Sequence, residues 1–138
     1  MRTISPNATF SYTLKADRDL PADDPNRSVF ELRVLTRGER ARLEDLGSID
    51  PVAGVYKLNG GAMKEAAVQA GLIGWERVCD ANGAPIPFAR TSKTLNVLGR
   101  QCSPVEPKLL DLLPYDAFTE LADAIFNGAF LSVEEGKG

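Results

Sequence analysis

Histidine, the side chain that most often serves as a general base near neutral pH, is absent from this chain of 138 residues. Its absence excludes Ser-His-Asp and Cys-His nucleophile systems as well as metal ligation by imidazole. Carboxylate and lysine chemistry stay open by residue type, but no such side chains stand in a recognisable catalytic pattern. We therefore expect that the protein is not an enzyme, and that it has no catalytic residues and no cofactor.

Carboxylates are densest in a proline-containing loop at residues 16–27. The loop holds four aspartates, namely Asp17, Asp19, Asp23 and Asp24. They could hold a hard cation such as Mg²⁺, although carboxylates bunched in an exposed loop are more often simply solvated. A second acidic turn, at residues 80–83, begins like a calcium loop, but Pro85 and Thr91 occupy the positions where such a loop needs glycine and glutamate. The sequence therefore predicts no metal site.

Phosphate-binding patterns are equally weak. Asn59, Gly60 and Gly61 precede a helical segment and resemble a loose anion cradle, yet they match neither glycine-rich nucleotide-binding motif. The net charge of −3 disfavours general binding of nucleic acid. Basic residues do cluster locally, at Arg33, Arg37, Arg40 and Arg42 and again at Arg90, Lys93 and Arg100. Because such runs usually form a solvated face, we expect no nucleic-acid partner.

Two cysteines, Cys79 and Cys102, are too few and too far apart for a zinc ribbon or a Cys-x-x-Cys redox pair. Free thiols are expected, although the two could pair if the fold brings them together. The N-terminal residues lack the apolar core of a signal peptide, and no stretch approaches the ~20 apolar residues of a membrane span. We therefore expect a protein that acts where it is made and has no membrane partner.

The first secondary-structure elements that the sequence predicts are two strands. Apolar and polar residues alternate with a period of two over residues 9–15 and 28–35, which predicts two half-buried strands. We expect them to pair antiparallel as a β-hairpin over residues 9–35.

Two later segments contain turn formers. Residues 50–61 surround a short apolar piece at 55–58 with Asp-Pro, Gly and Asn-Gly-Gly turn signals. Asn82 and Gly83 separate apolar segments at residues 75–80 and 85–89, which predicts a second hairpin, because both turn residues tolerate positive φ.

Four helices are predicted, near residues 37–46, 62–70, 104–113 and 115–127. Thr36 and Glu39 have the spacing of a capping box at the start of the first helix. Its inward side chains are expected to be Ala41, Leu43 and Leu46. The second helix has a mostly alanine face, which lets another backbone approach closely.

The last two helices carry further signals. Ser103 and Glu106 repeat the capping-box spacing, with Pro104 at the first helical position. The final helix has an apolar stripe at helical spacing, made of Phe118, Leu121, Ala122, Ile125, Phe126 and Ala129. Residues 131–138 are expected to form a flexible tail. The fold class predicted is a single α+β domain over residues 1–138. Its small antiparallel sheet is expected to consist of the N-terminal strand pair plus the later hairpin and to pack against three to four helices.

Three stretches of the chain, in this order and spacing, resemble the tail assembly chaperones of long-tailed, siphovirus-type bacteriophages. The first comprises residues 10–15, 19–21, 29–36 and 39–45. The second runs from Gly71-Leu72 through Gly74-Trp75 and Asp80 to Gly83, with Ile86-Pro87-Phe88. The third comprises residues 113–125, with Leu131-Ser132, Glu134-Glu135 and Lys137. Together they cover about two-thirds of the chain, and Val78-Cys79 departs from the family, which has an aromatic residue there.

This resemblance implies a non-enzymatic protein that works in the cytoplasm of the host bacterium. Such chaperones bind the long, largely helical tape measure protein before the tail tube polymerises, and they shield its apolar surface. The implied partner is the tape measure protein or another phage tail protein, and a homo-oligomer is possible. The alternatives are a structural phage component retained in the virion, such as a connector or tail completion protein, and a host-directed inhibitor.

The sequence also suggests which side chains would contact a helical client. Apolar side chains left partly exposed can receive the apolar face of a foreign helix. From their size and position, the expected partner-binding residues are Trp75, Phe88, Phe118, Leu121, Ile125 and Phe126.

Overall fold

Strands and helices are interspersed along the chain in the computed structural model, which describes residues 1–3, 5 and 7–128. The strands are β1 (Thr9–Tyr12), β2 (Val29–Arg33), β3 (Ser48–Val52), β4 (Val55–Asn59), β5 (Leu72–Glu76), β6 (Leu95–Val97) and β7 (Arg100–Cys102). The helices are α1 (Arg37–Glu44), α2 (Gly61–Gly71), α3 (Pro107–Leu110) and α4 (Tyr115–Phe126). This combination of antiparallel strands with helices confirms the α+β class. The predicted tail at 131–138 lies outside the described residues.

The main sheet has the strand order β1-β2-β5, and both pairings are antiparallel. Phe10 lies opposite Leu32, and Phe30 lies between Tyr12 on one side and Trp75 on the other. All five side chains are buried, because the period-two pattern puts them on the face that packs against the helices. The predicted pairing of the first two strands is confirmed.

The turn at Asn82-Gly83 forms as predicted, but no regular strand follows it. Asp80 N donates to Ala84 O at 2.9 Å, Ile86 N donates to Val78 O at 2.7 Å, and Gly83 has a φ of +83°. Residues 85–89 contribute an isolated bridge at Pro85. Since Pro85 and Pro87 have no N–H to donate, they cannot continue a ladder, and the predicted second strand is wrong.

Two small hairpins, β3–β4 and β6–β7, were not predicted. Each turns through two residues of positive φ, Ala53 and Gly54 in the first and Leu98 and Gly99 in the second. This is type I′ geometry, which suits the twist of a hairpin. The first turn position holds alanine or leucine here, residues that rarely occupy it. The sequence therefore contains no Asn-Gly pair that would predict either turn.

Helix α1 begins with the predicted capping box. Thr36 Oγ1 accepts from Glu39 N at 3.2 Å, and Glu39 Oε1 accepts from Thr36 N at 3.1 Å. Leu43 is buried as expected, but Ala41 and Leu46 are exposed, so their predicted inward placement is wrong. The helix ends at Glu44. Glu39 is its buried polar residue.

Helix α3 is much shorter than the predicted 104–113, and its predicted start is wrong. Glu106 is the N-cap and Pro107 the first helical residue. The preceding chain is extended because it pairs with residues 89–91: Thr91 N donates to Pro104 O at 2.8 Å, and Glu106 N donates to Ala89 O at 3.0 Å. Ser103 therefore has no helix to cap.

Helices α2 and α4 pack closely at their crossing. Ala67 is fully buried, and a Cβ placed on Gly71 would come within 3.0 Å of three carbon atoms of Ile125. The expected close approach to the alanine face is confirmed, and α4 matches the predicted helix at 115–127 to within one residue. None of the described helices is long and apolar enough to cross a membrane.

Candidate protein-binding surface

The stripe on α4 was predicted to receive a partner, but most of it lies in the core. Leu121, Ile125 and Phe126 have exposed fractions of 0%, 1% and 2%. Leu121 and Ile125 lie among the apolar side chains of the core, with Ile125 against α2, while the Phe126 ring packs edge-on against Tyr56. The expectation that these three side chains are accessible is therefore wrong. They stabilise the fold and offer no contact surface.

Trp75 is also a core residue, with an exposed fraction of 8%. Its ring makes edge-on contacts with Phe30 and Phe88, at centroid distances of 6.2 Å and 5.1 Å. Its indole N–H donates to Ile86 O at 2.8 Å, which satisfies its only polar atom. Phe88 is half-buried and covers the tryptophan, so of this pair only Phe88 is accessible.

Phe118 is half-buried and belongs to an apolar surface that the sequence did not single out. We call this surface the α3–α4 corner, and it consists of Leu109, Leu112, Leu113, Tyr115 and Phe118. Leu112 and Tyr115 are the most accessible members, with exposed fractions of 59% and 68%. Of the six predicted partner-binding residues, Phe118 is the one that the structure places on this surface.

Two prolines create the corner. Pro107 starts α3, which lasts only four residues, and Pro114 is the N-cap of α4. Between them the chain turns, with Leu113 N donating to Leu110 O at 3.1 Å. A single short turn of helix can direct only part of a leucine-rich segment inward, so Leu110 is buried while Leu112 faces solvent.

A cavity of about 250 Å³ opens at the corner. The side chains that line it are Glu65, Leu110, Asp111, Leu113, Tyr115 and Phe118. Its apolar walls come from α3 and α4, and its two carboxylates lie at α2 and just after α3. The cavity can therefore receive an apolar side chain whose neighbours are basic.

Tyr115 is held at the edge of the corner by α2. Its hydroxyl lies 3.1 Å from Lys64 Nζ, and the same ammonium lies 5.2 Å from the centroid of its ring. Hydrogen bonding and the charge of Lys64 lower the pKa of the Tyr115 hydroxyl. The aromatic ring is thus exposed but oriented, which reduces the entropy lost when a partner binds it.

A second cavity, of about 210 Å³, lies beside the sheet and is basic. Among the residues that line it are Arg33, Gln69, Ile73, Arg90, Arg100 and Ser103. Arg33 is buried and bonded to Glu39. Arg90 Nη2 donates to Ile73 O at 3.3 Å, and Arg100 Nη2 donates to Asn7 Oδ1 at 3.0 Å.

The largest of the described cavities, about 390 Å³, lies between α1 and the β3–β4 hairpin. It is lined by Arg40, Glu44, Ile49, Tyr56 and Phe126. The Arg40 guanidinium lies 4.3 Å from the centroid of the Phe126 ring, so the two side chains make a cation–π contact. This cavity adjoins the end of α4, because Phe126 is the last residue of that helix.

The acidic loop at residues 16–27 is held by arginines through its backbone. Arg27 Nη1 donates to Arg18 O at 3.0 Å and to Leu20 O at 2.6 Å, and Arg77 Nη1 donates to Ala22 O at 2.7 Å. The carboxylates of the loop do not converge: within residues 1–3, 5 and 7–128 there is no group of three or more metal-ligating side chains. Cys79 and Cys102 are free thiols.

Comparison of the chain with protein-family models, with curated proteins and with solved structures gives no match.

Proposed function

We propose that the protein is a tail assembly chaperone of a long-tailed bacteriophage, which binds the tape measure protein in the host cytoplasm before the tail tube polymerises. The proposal is supported by the ordered resemblance of three stretches of sequence. The observation that carries its contact surface is the exposure of two apolar side chains of the α3–α4 corner, Leu112 and Tyr115, of which Tyr115 lines the cavity there.

The corner suits a helical client for physical reasons. An amphipathic helix presents apolar side chains three and four residues apart, and a shallow apolar corner can bury one or two of them. Full burial of one leucine-sized side chain contributes about 1.5–3 kcal/mol. Glu65 and Asp111 would attract lysine or arginine next to that side chain and would help to set the orientation of the client helix.

This assignment replaces the surface that the sequence suggested. Four members of the predicted set are buried, namely Trp75, Leu121, Ile125 and Phe126, whereas Phe118 lines the cavity at the corner. A holdase needs accessible apolar area on a stable scaffold, and the packing of α4 against α2 provides that scaffold.

The proposal is tested by co-expression with the tape measure protein encoded in the same phage genome, followed by affinity purification and titration of client segments. Leu112→Ser is expected to weaken binding at least about tenfold, which corresponds to a loss of about 1.4 kcal/mol. Leu95→Ser is the matched control, because Leu95 is also an exposed leucine, at 41%, and lies on β6.

Three outcomes are informative. Equal binding by the wild type and Leu112→Ser would move the contact surface away from the corner. A folded protein that binds no part of the tape measure protein would remove the chaperone function. A chaperone leaves before the tail is complete, so recovery of the protein from purified virions in stoichiometric amount would also contradict the proposal.

A further inference from the structure

Helix α1 carries exposed charges in an order that is unfavourable for a single helix. Arg37 is its first residue and Glu44 its last, and both are exposed, as is Asp45, the C-cap. The N-terminus of a helix is the positive end of its dipole and the C-terminus is the negative end, so each of these charges lies at the end that repels it. The first turn does contain an acid, Glu39, but that carboxylate is buried and paired with Arg33.

The exposed charges at the two ends of α1 are not neutralised within the molecule. In the part of the chain that the structure describes, the side chains of Arg37, Glu44 and Asp45 make no ion pair. Arg40 is one turn before Glu44, but its guanidinium lies over the ring of Phe126 instead. These charges are therefore available to a partner.

The same charges share one outward face of the helix. Residues at positions i, i+4 and i+7 or i+8 lie on one side of a helix. We call this side the α1 face, and it consists of Arg37, Ala41, Glu44 and Asp45. Ala41 is exposed at its centre and has a side chain of one carbon, so a second helix can approach closely there. Arg42 points elsewhere, because it donates to Gly38 O and packs against Gly99 in the β6–β7 turn.

A face that is basic at one end and acidic at the other is complementary to a second copy of itself. When two identical helices pack antiparallel about a two-fold axis, the first residue of each lies beside the last residues of the other. With the axis near Ala41, Arg37 of one copy lies beside Glu44 of the second copy, and symmetry forms the reverse pair. Each charge then also lies beside the favourable end of the other helix dipole, so the order of charges that opposes the single helix stabilises the pair.

An accessible apolar surface adjoins the α1 face. Arg40 and Glu44 line the cavity of about 390 Å³ together with Ile49 and Tyr56 of the β3–β4 hairpin and with Phe126. Tyr56 has an exposed fraction of 47%. Because Glu44 belongs to both the α1 face and the cavity, a second copy on the face would cover part of this apolar wall. Removal of apolar surface from water favours association.

We propose that the α1 face is a homodimer interface, at which two copies of this chain pack α1 against α1 antiparallel about a two-fold axis near Ala41. The inference is independent of the proposed function, since the dimer needs no client. It is compatible with that function, because the α3–α4 corner is at the other end of α4. Tyr115 and Phe126, the first and last residues of α4, lie about 16 Å apart along its axis. Each dimer would thus present two corners to a client.

Sedimentation equilibrium of the free protein tests the interface without any client. At low ionic strength the wild type is expected to dimerise with a dissociation constant on the order of 100 µM, as suits a small and largely polar interface. Loading concentrations from about 5 to 500 µM then cover both species, and the protein is monomeric in more dilute unfolding measurements. Salt at about 0.5 M is expected to weaken the dimer at least about threefold, because the paired charges are exposed. A monomer throughout this range would overturn the proposal.

Charge reversal tests which residues meet across the interface. Arg37→Glu and Glu44→Arg each place like charges at both symmetry-related contacts, and each is expected to weaken the dimer at least about tenfold. An equimolar mixture of the two variants restores opposite charges at both contacts. The mixture is therefore expected to form a heterodimer whose dissociation constant is within about threefold of the wild-type value. Failure of the mixture to associate, with both variants folded by circular dichroism, would contradict the proposed pairing.

Lys93→Glu and Glu76→Arg are the matched controls, because they make the same charge changes at exposed positions outside the α1 face. Both are expected to leave the dissociation constant of the dimer unchanged. Controls that weaken the dimer as much as the α1 variants would show that net charge alone governs association, and would remove the interface from α1.

A cysteine at the centre of the α1 face tests the position of the axis. Ala41→Cys, made together with Cys79→Ser and Cys102→Ser, is expected to give a disulfide-linked dimer under mild oxidation. The two Cα atoms at the axis come within disulfide reach, which is about 4.4–6.8 Å. Ala84→Cys in the same background, at an exposed position after the Asn82-Gly83 turn, is the control and is expected to remain monomeric. Cross-linking at Ala84 without cross-linking at Ala41 would place the interface elsewhere.

The client separates this inference from the proposed function. A dimer that forms while the tape measure protein does not bind would leave the interface standing and would remove the chaperone function. A wild-type protein that is monomeric at every concentration, but whose binding to a tape measure segment is lost in Arg37→Glu, would assign the α1 face to that client and would overturn the dimer.

Discussion

Arg33 and Glu39 form an ion pair that joins strand β2 to helix α1, and both side chains are almost fully buried. The Arg33 Nη1 atom lies 2.9 Å from Glu39 Oε1, and the second guanidinium nitrogen bonds to Oε2. Glu39 also accepts from Thr36 N, so one carboxylate satisfies a buried cation and caps a helix. Removal of either partner would leave a buried group without its counterpart.

Glu39→Gln is therefore expected to destabilise the protein strongly. Breaking a buried pair by changing one partner costs about 3–5 kcal/mol, because the remaining charge stays buried. The measurement is urea-induced unfolding followed by circular dichroism. Glu44→Gln, at an exposed position of the same helix, is the control and is expected to change the free energy of unfolding by less than about 0.5 kcal/mol. Equal effects of the two changes would contradict the importance of the pair.

The same carboxyl makes stability depend on pH in the acid range. Burial by itself would raise the pKa of Glu39, but hydrogen bonds from Arg33 and Thr36 hold the pKa below the ordinary value of 4.5. The unfolded chain then binds the proton more tightly than the folded chain, so the contribution of Glu39 is fully present above the unfolded pKa and is lost as pH falls through the folded pKa. Free energies of unfolding measured from pH 6 to pH 3 are expected to fall, and to fall less steeply in Glu39→Gln. Parallel curves for the two proteins would rule out this linkage.

Local pattern predicted much of the fold, but the longer-range pairings were not visible. Period-two alternation gave the pairing of β1 with β2, and the stripe on residues 115–127 gave α4. A later hairpin was expected in the same sheet, but the sequence did not indicate that β5 pairs with β2, because a strand pairing over some forty residues leaves no local signature. The hairpins at Ala53-Gly54 and Leu98-Gly99 were missed because their first turn residues are apolar.

The candidate surface was predicted less well than the fold, and for a simple reason. An apolar stripe looks the same whether it covers its own core or a foreign helix, so Leu121 and Ile125 could not be assigned to the core from sequence. Leu112 and Tyr115 did have a signal, since a leucine-rich segment between Pro107 and Pro114 is too short to bury all of its leucines. No sequence signal indicated the basic cavity, because Arg33, Arg90 and Arg100 are distant in the sequence and come together only in the folded protein.

Helix α4 also holds the outer edge of β4 through two polar side chains, Asp123 and Asn127. Asp123 Oδ1 accepts from Leu58 N at 2.9 Å, while Asn127 accepts from Tyr56 N at 3.1 Å and donates to Tyr56 O at 2.9 Å. These side chains replace a neighbouring strand, so that the buried backbone of β4 has partners.

Asp123→Ala is expected to free the Leu58 amide and to cost about 1–3 kcal/mol, the penalty for a buried donor without a partner. Hydrogen exchange is expected to accelerate at Leu58 more than at amides of β1 or β2. Asp116→Ala, an exposed aspartate at the start of the same helix, is expected to leave exchange at Leu58 unchanged. Slow exchange at Leu58 in the Asp123 variant would show that another group protects this amide.

The close contact between α2 and α4 predicts opposite effects for two glycines of α2. Gly71→Ala is expected to destabilise the protein by about 1–3 kcal/mol, because the added Cβ overlaps Ile125 in a core without spare space. Gly61→Ala adds the same methyl group at the first residue of the helix, where nothing lies within 4 Å. It is expected to be neutral or to stabilise by up to about 1 kcal/mol, through the higher helix propensity of alanine. Thermal and urea unfolding of both variants test the prediction, which fails if the two changes have the same sign.

Two leucines two residues apart test whether the α3–α4 corner is a surface and not part of the core. Leu110 has an exposed fraction of 7% and Leu112 one of 59%, although both follow the same proline. Leu110→Ala is expected to lower the free energy of unfolding by about 2–5 kcal/mol, since it leaves a cavity in the core. Leu112→Ala is expected to change it by less than about 0.5 kcal/mol, because its side chain is already in water. Urea unfolding distinguishes the cases directly: if Leu112→Ala destabilises as much as Leu110→Ala, the corner is buried and offers no surface to a client helix.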